Sequence, residues 1–230
     1  MNDPWRIFIG YDERQPVAYN VLAHSIIARA SQPVAITPLV QRTLPTKREG
    51  LTPFTWSRFL VPWLCGYKGM ALFLDIDIMV RADIVELFHH GAGSGAVAVS
   101  KNPMTFEWAS VILFNCDHLD NRRLTPELVE GGHKLHAISW TEAITDLPRE
   151  WNHLVGYDKP NPDAKLVHFT QGIPAFPETQ DCEFAAEWMQ EANTAVSSKP
   201  WHVLMGNSVH AKPVFDRLAS SGKISLSERL

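Results

Sequence analysis

MALFLDIDIMV, residues 70–80, decides the fold class of this chain. Met70–Leu74 is an unbroken apolar run. Such a run marks a strand buried on both faces of a mostly parallel sheet, rather than one alternating between core and solvent. It ends abruptly at Asp75-Ile76-Asp77, and Met79-Val80 resumes the apolar pattern. In an extended chain residues two apart point the same way, so both carboxylates are expected to face one ligand. The competing account is a pair that only caps the strand or the following turn.

Outward from this stretch the pattern alternates. Arg6–Gly10 (RIFIG) reads as a strand running into a polar loop at Tyr11 and Asp12. Residues 16–30 carry Val17, Val21, Leu22, Ile26 and Ile27 at helical spacing, and Val34–Leu39 reads as a second strand. An exposed loop over 43–55 and a helix over Trp56–Leu64 follow. Ala82–Phe88 predicts a short helix, and Gly95–Val99 and Val111–Asn115 predict strands. Beyond these, Leu124–Leu128 and Thr141–Thr145 read as helical and Leu166–Phe169 as a late strand. Glu183–Ala195 and Val214–Leu218 complete the helices. Strands alternating with helices imply an α/β fold whose sheet has right-handed crossovers. Ligands of such sheets bind at the carboxyl ends of the strands, where Asp12, Asp75 and Asp77 stand. One domain is expected over residues 1–196, with residues 197–230 as a C-terminal extension packed on it.

Composition narrows the function. Hydrophobic residues make up 45% of the chain and charged residues 20%, an ordinary globular balance. A formal charge of -4 argues against nucleic acid held by phosphate neutralisation, which needs a basic face. Cys65, Cys116 and Cys182 form no CxxC pair, so neither a zinc site nor a disulfide framework is expected. The first residues are charged where a signal peptide needs an apolar run, and no stretch reaches the ~20 apolar residues of a transmembrane segment. The expectation is a soluble, cytoplasmic protein.

Hard cations such as Mn²⁺ or Mg²⁺ prefer carboxylate and phosphate oxygens, so a metal held by Asp75 and Asp77 would bridge the two phosphates of a nucleotide sugar. His168, in LVHFTQGIP, ends the late strand ahead of Gly172 and Pro174. A neutral imidazole can complete a metal shell, and a glycine turn lets backbone N–H groups approach a phosphate.

The set IFIGYDERQPVAYNVLAHSI, FTWSRFLVPWL, ALFLDIDIMVRADIVELF, VILFNCDHL, LTPELV, LPREWNHLVGY and VHFTQGIP, in this order, resembles the family-eight glycosyltransferases, and among them the short bacterial members. The resemblance runs over about three quarters of the chain. It implies a GT-A fold, a mostly parallel mixed sheet of Rossmann-like type flanked by helices, with a DxD motif at Asp75 and Asp77. It implies a metal-dependent hexosyltransferase that takes a UDP-sugar donor and a glycan or small-molecule acceptor, with retention of configuration. Asp75, Asp77 and His168 match the metal ligands for Mn²⁺ or Mg²⁺. Gly10, Tyr11 and Asp12 match the nucleotide loop, with Arg14 beside them: the Tyr11 ring would stack on uracil and Asp12 would accept from its N–H. Arg58 matches an arginine near the donor sugar and diphosphate. Ile76 between the aspartates, and Gly172, are further donor contacts. Asn115 and Glu142 match positions beside the donor sugar and the anomeric carbon. Trp151 and Asn152 match a recurring WN of structural character.

Two departures stand out. Gln171 replaces the aspartate or glycine usual before the late glycine, and no lysine occurs between Gly172 and Glu183 to bind the diphosphate. The competing readings are a catalytically degenerate nucleotide-sugar-binding protein and a nucleotidyltransferase. The latter is disfavoured because IGYDERQ is not glycine-rich.

Overall fold

The structure, a computed structural model, describes residues 3–90, 93, 95–103, 105–132, 134–206 and 208–223. The described strands are β1 (Trp5–Gly10), β2 (Val34–Leu39), β3 (Met70–Leu74), β4 (Ile78–Val80), β5 (Val97–Val99), β6 (Val111–Asn115), β7 (Ile144–Asp146), β8 (His153–Leu154) and β9 (Leu166–His168). The helices are α1 (Pro16–Arg29), α2 (Val61–Leu64), α3 (Ile84–His90), α4 (Pro126–Gly131), α5 (Ala185–Val196), α6 (Trp201–Met205) and α7 (Ala211–Ser220). The chain divides into two compact units, Met1–Ala195 and Val196–Leu230; α6 and α7 belong to the second.

A six-stranded sheet in the order β2-β1-β3-β6-β5-β7 forms the centre of the first unit. Five strands run one way, and β6 alone runs antiparallel to its neighbours β3 and β5. The expected mostly parallel mixed α/β sheet is therefore present. The unbroken apolar runs have a direct cause, because each central strand feeds two cores. Ala71 and Phe73 of β3 join Phe8, Ile112 and Phe114 on one face. Leu72 and Leu74 join Ile7, Ile9, Val111 and Leu113 on the other, with Leu22 and Ile26 of α1. Each such side chain, fully withdrawn from water, contributes about 1.5–3 kcal/mol. On the outside of the unit, His24 and Arg29 of α1 both engage Glu191 of α5.

A three-stranded sheet, β4-β9-β8, lies just past the end of β3. Its antiparallel pairing sets Ile78 opposite His168. This places a residue late in the chain beside the Asp75–Asp77 turn.

Several elements differ from the reading of the sequence. Thr141–Thr145, expected as helix, instead leads into β7, which pairs in parallel with β5. Thr141, Ile144 and Thr145 are β-branched, and the edge of β5 offers backbone partners, so tertiary pairing outweighs a weak helical spacing. Residues 56–64 form a 3₁₀ turn over Ser57–Leu60 followed by one α-turn, not a continuous helix. The helix expected at 124–128 starts later, at Pro126, where the Thr125 hydroxyl caps it by accepting from the Leu128 N–H at 3.3 Å. No helix among the described residues is long and apolar enough to cross a membrane.

Gly10 closes β1 under the ring of Phe54. A Cβ at residue 10 would lie 2.4 Å from Phe54 Cγ. Gly10→Ala should therefore destabilise the protein by about 1–3 kcal/mol in a urea titration, with part of the loss recovered by adding Phe54→Leu.

Candidate metal and nucleotide site

The first candidate ligands sit where β3 ends. Asp75 leaves the sheet with its N–H donating to Ser110 O at 2.9 Å, and the Asp77 carbonyl accepts from Phe169 N–H at 2.9 Å. The two backbones are thus fixed from opposite sides, by the start of β6 and by the end of β9. Ile76 and Asp77 form a turn and not the extended segment that alternation suggested. Ile76 sends its side chain into the core, 1% exposed, which leaves only its backbone for a ligand.

The turn nonetheless brings the carboxylates together. Ligand atoms of Asp75, Asp77 and His168 lie within 4.8 Å of one another, and His168 Nε2 is 3.3 Å from Asp77 Oδ1. Asp75 and His168 are buried. Asp75 Oδ1, Asp77 Oδ1 and His168 Nδ1 are buried without a hydrogen bond. The two oxygens are met by ion pairs instead, and three ligand-type side chains converging at this buried spot, two of them carboxylates, fit an oxygen-preferring divalent cation.

Charge crowding shows in the proton affinities. Burial pushes the Asp75 carboxyl up to about 7, despite Arg58 beside it. Burial alone would lower His168, but the carboxylates of Asp77, Asp75 and Glu107 outweigh it and hold the imidazole at about 9. Burial likewise raises Glu107, whose Oε2 is 3.8 Å from His168 Nδ1.

Glu107 escaped the sequence reading. It lies in a 3₁₀ turn, Thr105–Ser110, with no distinctive spacing around it. Its carbonyl is held by Asn152 Nδ2 at 3.3 Å and by the Ser110 hydroxyl at 2.6 Å. Asn152 is fully buried and also donates to Ser110 Oγ at 3.1 Å, so the asparagine of the WN pair braces the segment that carries Glu107.

Arg58 is buried and turned on Asp75. Its Nη1 lies 3.0 Å from Asp75 Oδ1 and donates to Ala109 O at 2.7 Å, while its guanidinium stands over the Phe73 ring at 4.9 Å. It holds the carboxylate before it can hold anything else. Gly172 adopts φ +121°, which a side-chain-bearing residue rarely takes, and its N–H donates to Phe169 O at 2.8 Å in the turn after His168. Gln171 lies over Gly156, where a Cβ would meet its Cδ at 2.6 Å.

The nucleotide-loop residues line a second part of the site. Tyr11, Asp12, Arg14, Val40, Arg42 and Pro53 border a cleft of about 320 Å³ at the carboxyl ends of β1 and β2. Ile9 pairs with Leu74, so this cleft opens within one or two strand spacings of Asp75, roughly 5–10 Å. Tyr11 sits edge-on to Tyr19, with centroids 5.5 Å apart. Asp12 does not offer the free carboxylate that was expected: Arg14 occupies it, and that pairing holds its carboxyl below the ordinary range.

Two expected residues are not brought here. Asn115 pairs with Met70, the first residue of β3, because β6 runs antiparallel. Four strand residues separate that level from Leu74, about 13 Å. Its carbonyl accepts instead from Asn121 Nδ2 at 2.8 Å. Glu142 precedes β7 and is exposed at the same amino-terminal end of the sheet. The structure does not bring either residue to the Asp75, Asp77 and His168 cluster.

Similarity to known proteins agrees with this picture. No family model matches the chain. It is 37% identical over 224 residues to Protein CDI of Arabidopsis thaliana, matching 82% of this chain and 86% of that protein. The chain belongs to the Protein CDI family. Its fold is close to those of the WbbM bifunctional glycosyltransferase (TM-score 0.64, 15% identity) and GlyE of Streptococcus pneumoniae TIGR4 (0.65, 16%). Those matches cover 94% and 93% of this chain. The chain spans 52% of the WbbM structure and 64% of the GlyE structure. Against the galactosyltransferase LgtC, solved with donor and acceptor sugar analogues, the TM-score is 0.59 at 14% identity, covering 86% of this chain and 99% of that one. This CDI-family chain thus has the GT-A fold.

Removing one partner of a buried ion pair leaves the other uncompensated. Arg58→Met should cost about 3–5 kcal/mol of stability, and Arg58→Met/Asp75→Asn should cost less than the two single changes summed, as read by urea denaturation.

Proposed function

We propose that this chain is a metal-dependent glycosyltransferase that takes a hexose from a UDP-sugar. The observation that carries the reading is the convergence of Asp75, Asp77 and His168, with ligand atoms within 4.8 Å of one another, at the carboxyl edge of a GT-A sheet. Its structural neighbours, a galactosyltransferase among them, support the same class. The family-eight resemblance favours transfer with retention to a glycan or small-molecule acceptor.

Asp75, Asp77 and His168 would hold Mn²⁺ or Mg²⁺, which supplies Lewis-acid stabilisation of charge on the departing diphosphate. Arg58 fixes the Asp75 carboxylate and adds positive charge behind it. Backbone N–H groups of the turn after His168, other than the Gly172 N–H that donates to Phe169 O, or a basic residue elsewhere, take the place of the lysine missing between Gly172 and Glu183. The cleft at Tyr11 takes the nucleoside. Glu107, rather than Glu142, is the further carboxylate at the cluster.

The test is UDP release from a panel of UDP-sugars. Release should require Mn²⁺, stop with EDTA, and fall at least 100-fold in Asp77→Ala while the circular dichroism spectrum stays unchanged. Metal-independent release, or full turnover by that variant, sinks the reading. Protons compete with the cation for Asp75, held near 7, and for His168, held near 9. Mn²⁺ affinity should therefore rise from pH 6 to pH 8, with protons released to the buffer in calorimetry.

A further inference from the structure

Asp12 is 1% exposed and its acceptor positions are filled from within its own loop. Oδ1 accepts from the Arg14 backbone N–H at 3.0 Å and from Nε at 2.9 Å. Oδ2 accepts from Arg14 Nε at 3.1 Å and from Nη2 at 2.6 Å. Three donor groups of Arg14 hold this buried carboxylate, Nε–H shared between its two oxygens, so it is committed to Arg14 rather than offered to the N–H of a base.

The opposite is true of Arg14. Its side chain is 71% exposed at the lip of the cleft. A fork gripped through Nε and Nη2 turns Nη1, with both hydrogens, away from the carboxylate. The loop therefore presents a fixed hydrogen-bond donor, with rotation removed by the ion pair.

We infer that Arg14, positioned by Asp12, is the base-reading residue of the cleft, and that it selects a base carrying a carbonyl on the edge far from the ribose. Uracil has that carbonyl at C4. Cytosine carries an amino group there, which would set donor against donor. The strand order β2-β1-β3 sets the direction: with the diphosphate at Asp75 beyond β3, a nucleoside in the cleft at the ends of β1 and β2 has its sugar towards β3, and Arg14, which lines that cleft, is within the inferred reach of the base.

This inference rests on the nucleotide-sugar reading above, and a comparison of UDP with CDP separates the two. Binding is measured by calorimetry with Mn²⁺ on the full chain, with the thermal midpoint as a check on folding. The unaltered chain should bind UDP about tenfold or more tighter than CDP, as expected for a hydrogen bond from a charged donor. Arg14→Ala should bring the two within about threefold of each other. Asp12→Asn, which keeps the volume but releases the fork, should narrow the ratio likewise. If Arg14→Ala weakens UDP and CDP equally, Arg14 contacts phosphate and the inference is overturned while the donor reading stands. If neither nucleotide binds the unaltered chain, both fall.

Discussion

A carboxylate withdrawn from water is the constraint around which this structure is arranged. Asp75 is 8% exposed and follows Ala71–Leu74, four strand residues that are all core. Such a group is tolerated only with compensation. Arg58 supplies part of it, and the Ser110 carbonyl fixes the backbone. Asp75 Oδ1 and Asp77 Oδ1 are met by ion pairs, to Arg58 and to His168, and not by hydrogen bonds. A fold that gathers two carboxylates and an imidazole in its interior is suited to a positive charge from outside.

The second sheet makes that preparation possible. Without the antiparallel pairing of β4 with β9, His168 would have no fixed relation to Asp77, which lies 91 positions earlier in the chain. The same short sheet carries β8, and Asn152 just before it braces Glu107. Residues from four separate stretches therefore converge through backbone hydrogen bonds, not through direct attraction of like charges. That order of causes explains how acids can be held close enough to raise one another's proton affinity.

In the neighbouring cleft a carboxylate and an arginine two residues apart neutralise each other, which reverses the chemistry that the loop presents. A strand-ending Asp reads as an acceptor when considered alone. Paired with Arg14 in the same turn, it becomes the support of a donor. Asn115 teaches a related lesson about direction. A residue at the end of a strand lies at the ligand edge only if the strand runs with its neighbours, and β6 does not.

Much of the sheet was legible in the sequence because burial on both faces imposes unbroken apolar runs: Met70–Leu74 and Val111–Asn115 are strands with those bounds. The metal candidates were legible because Asp75 and Asp77 interrupt such a run and because His168 precedes a glycine that adopts positive φ. Local pattern carries this information because it reflects the immediate environment of each residue. Strand polarity, the edge pairing that made β7, the approach of Glu107 to His168 and the capture of Asp12 by Arg14 depend on partners or rotamers that no periodicity encodes. Those were decided only when backbone hydrogen bonds and side-chain charges found one another in the folded chain.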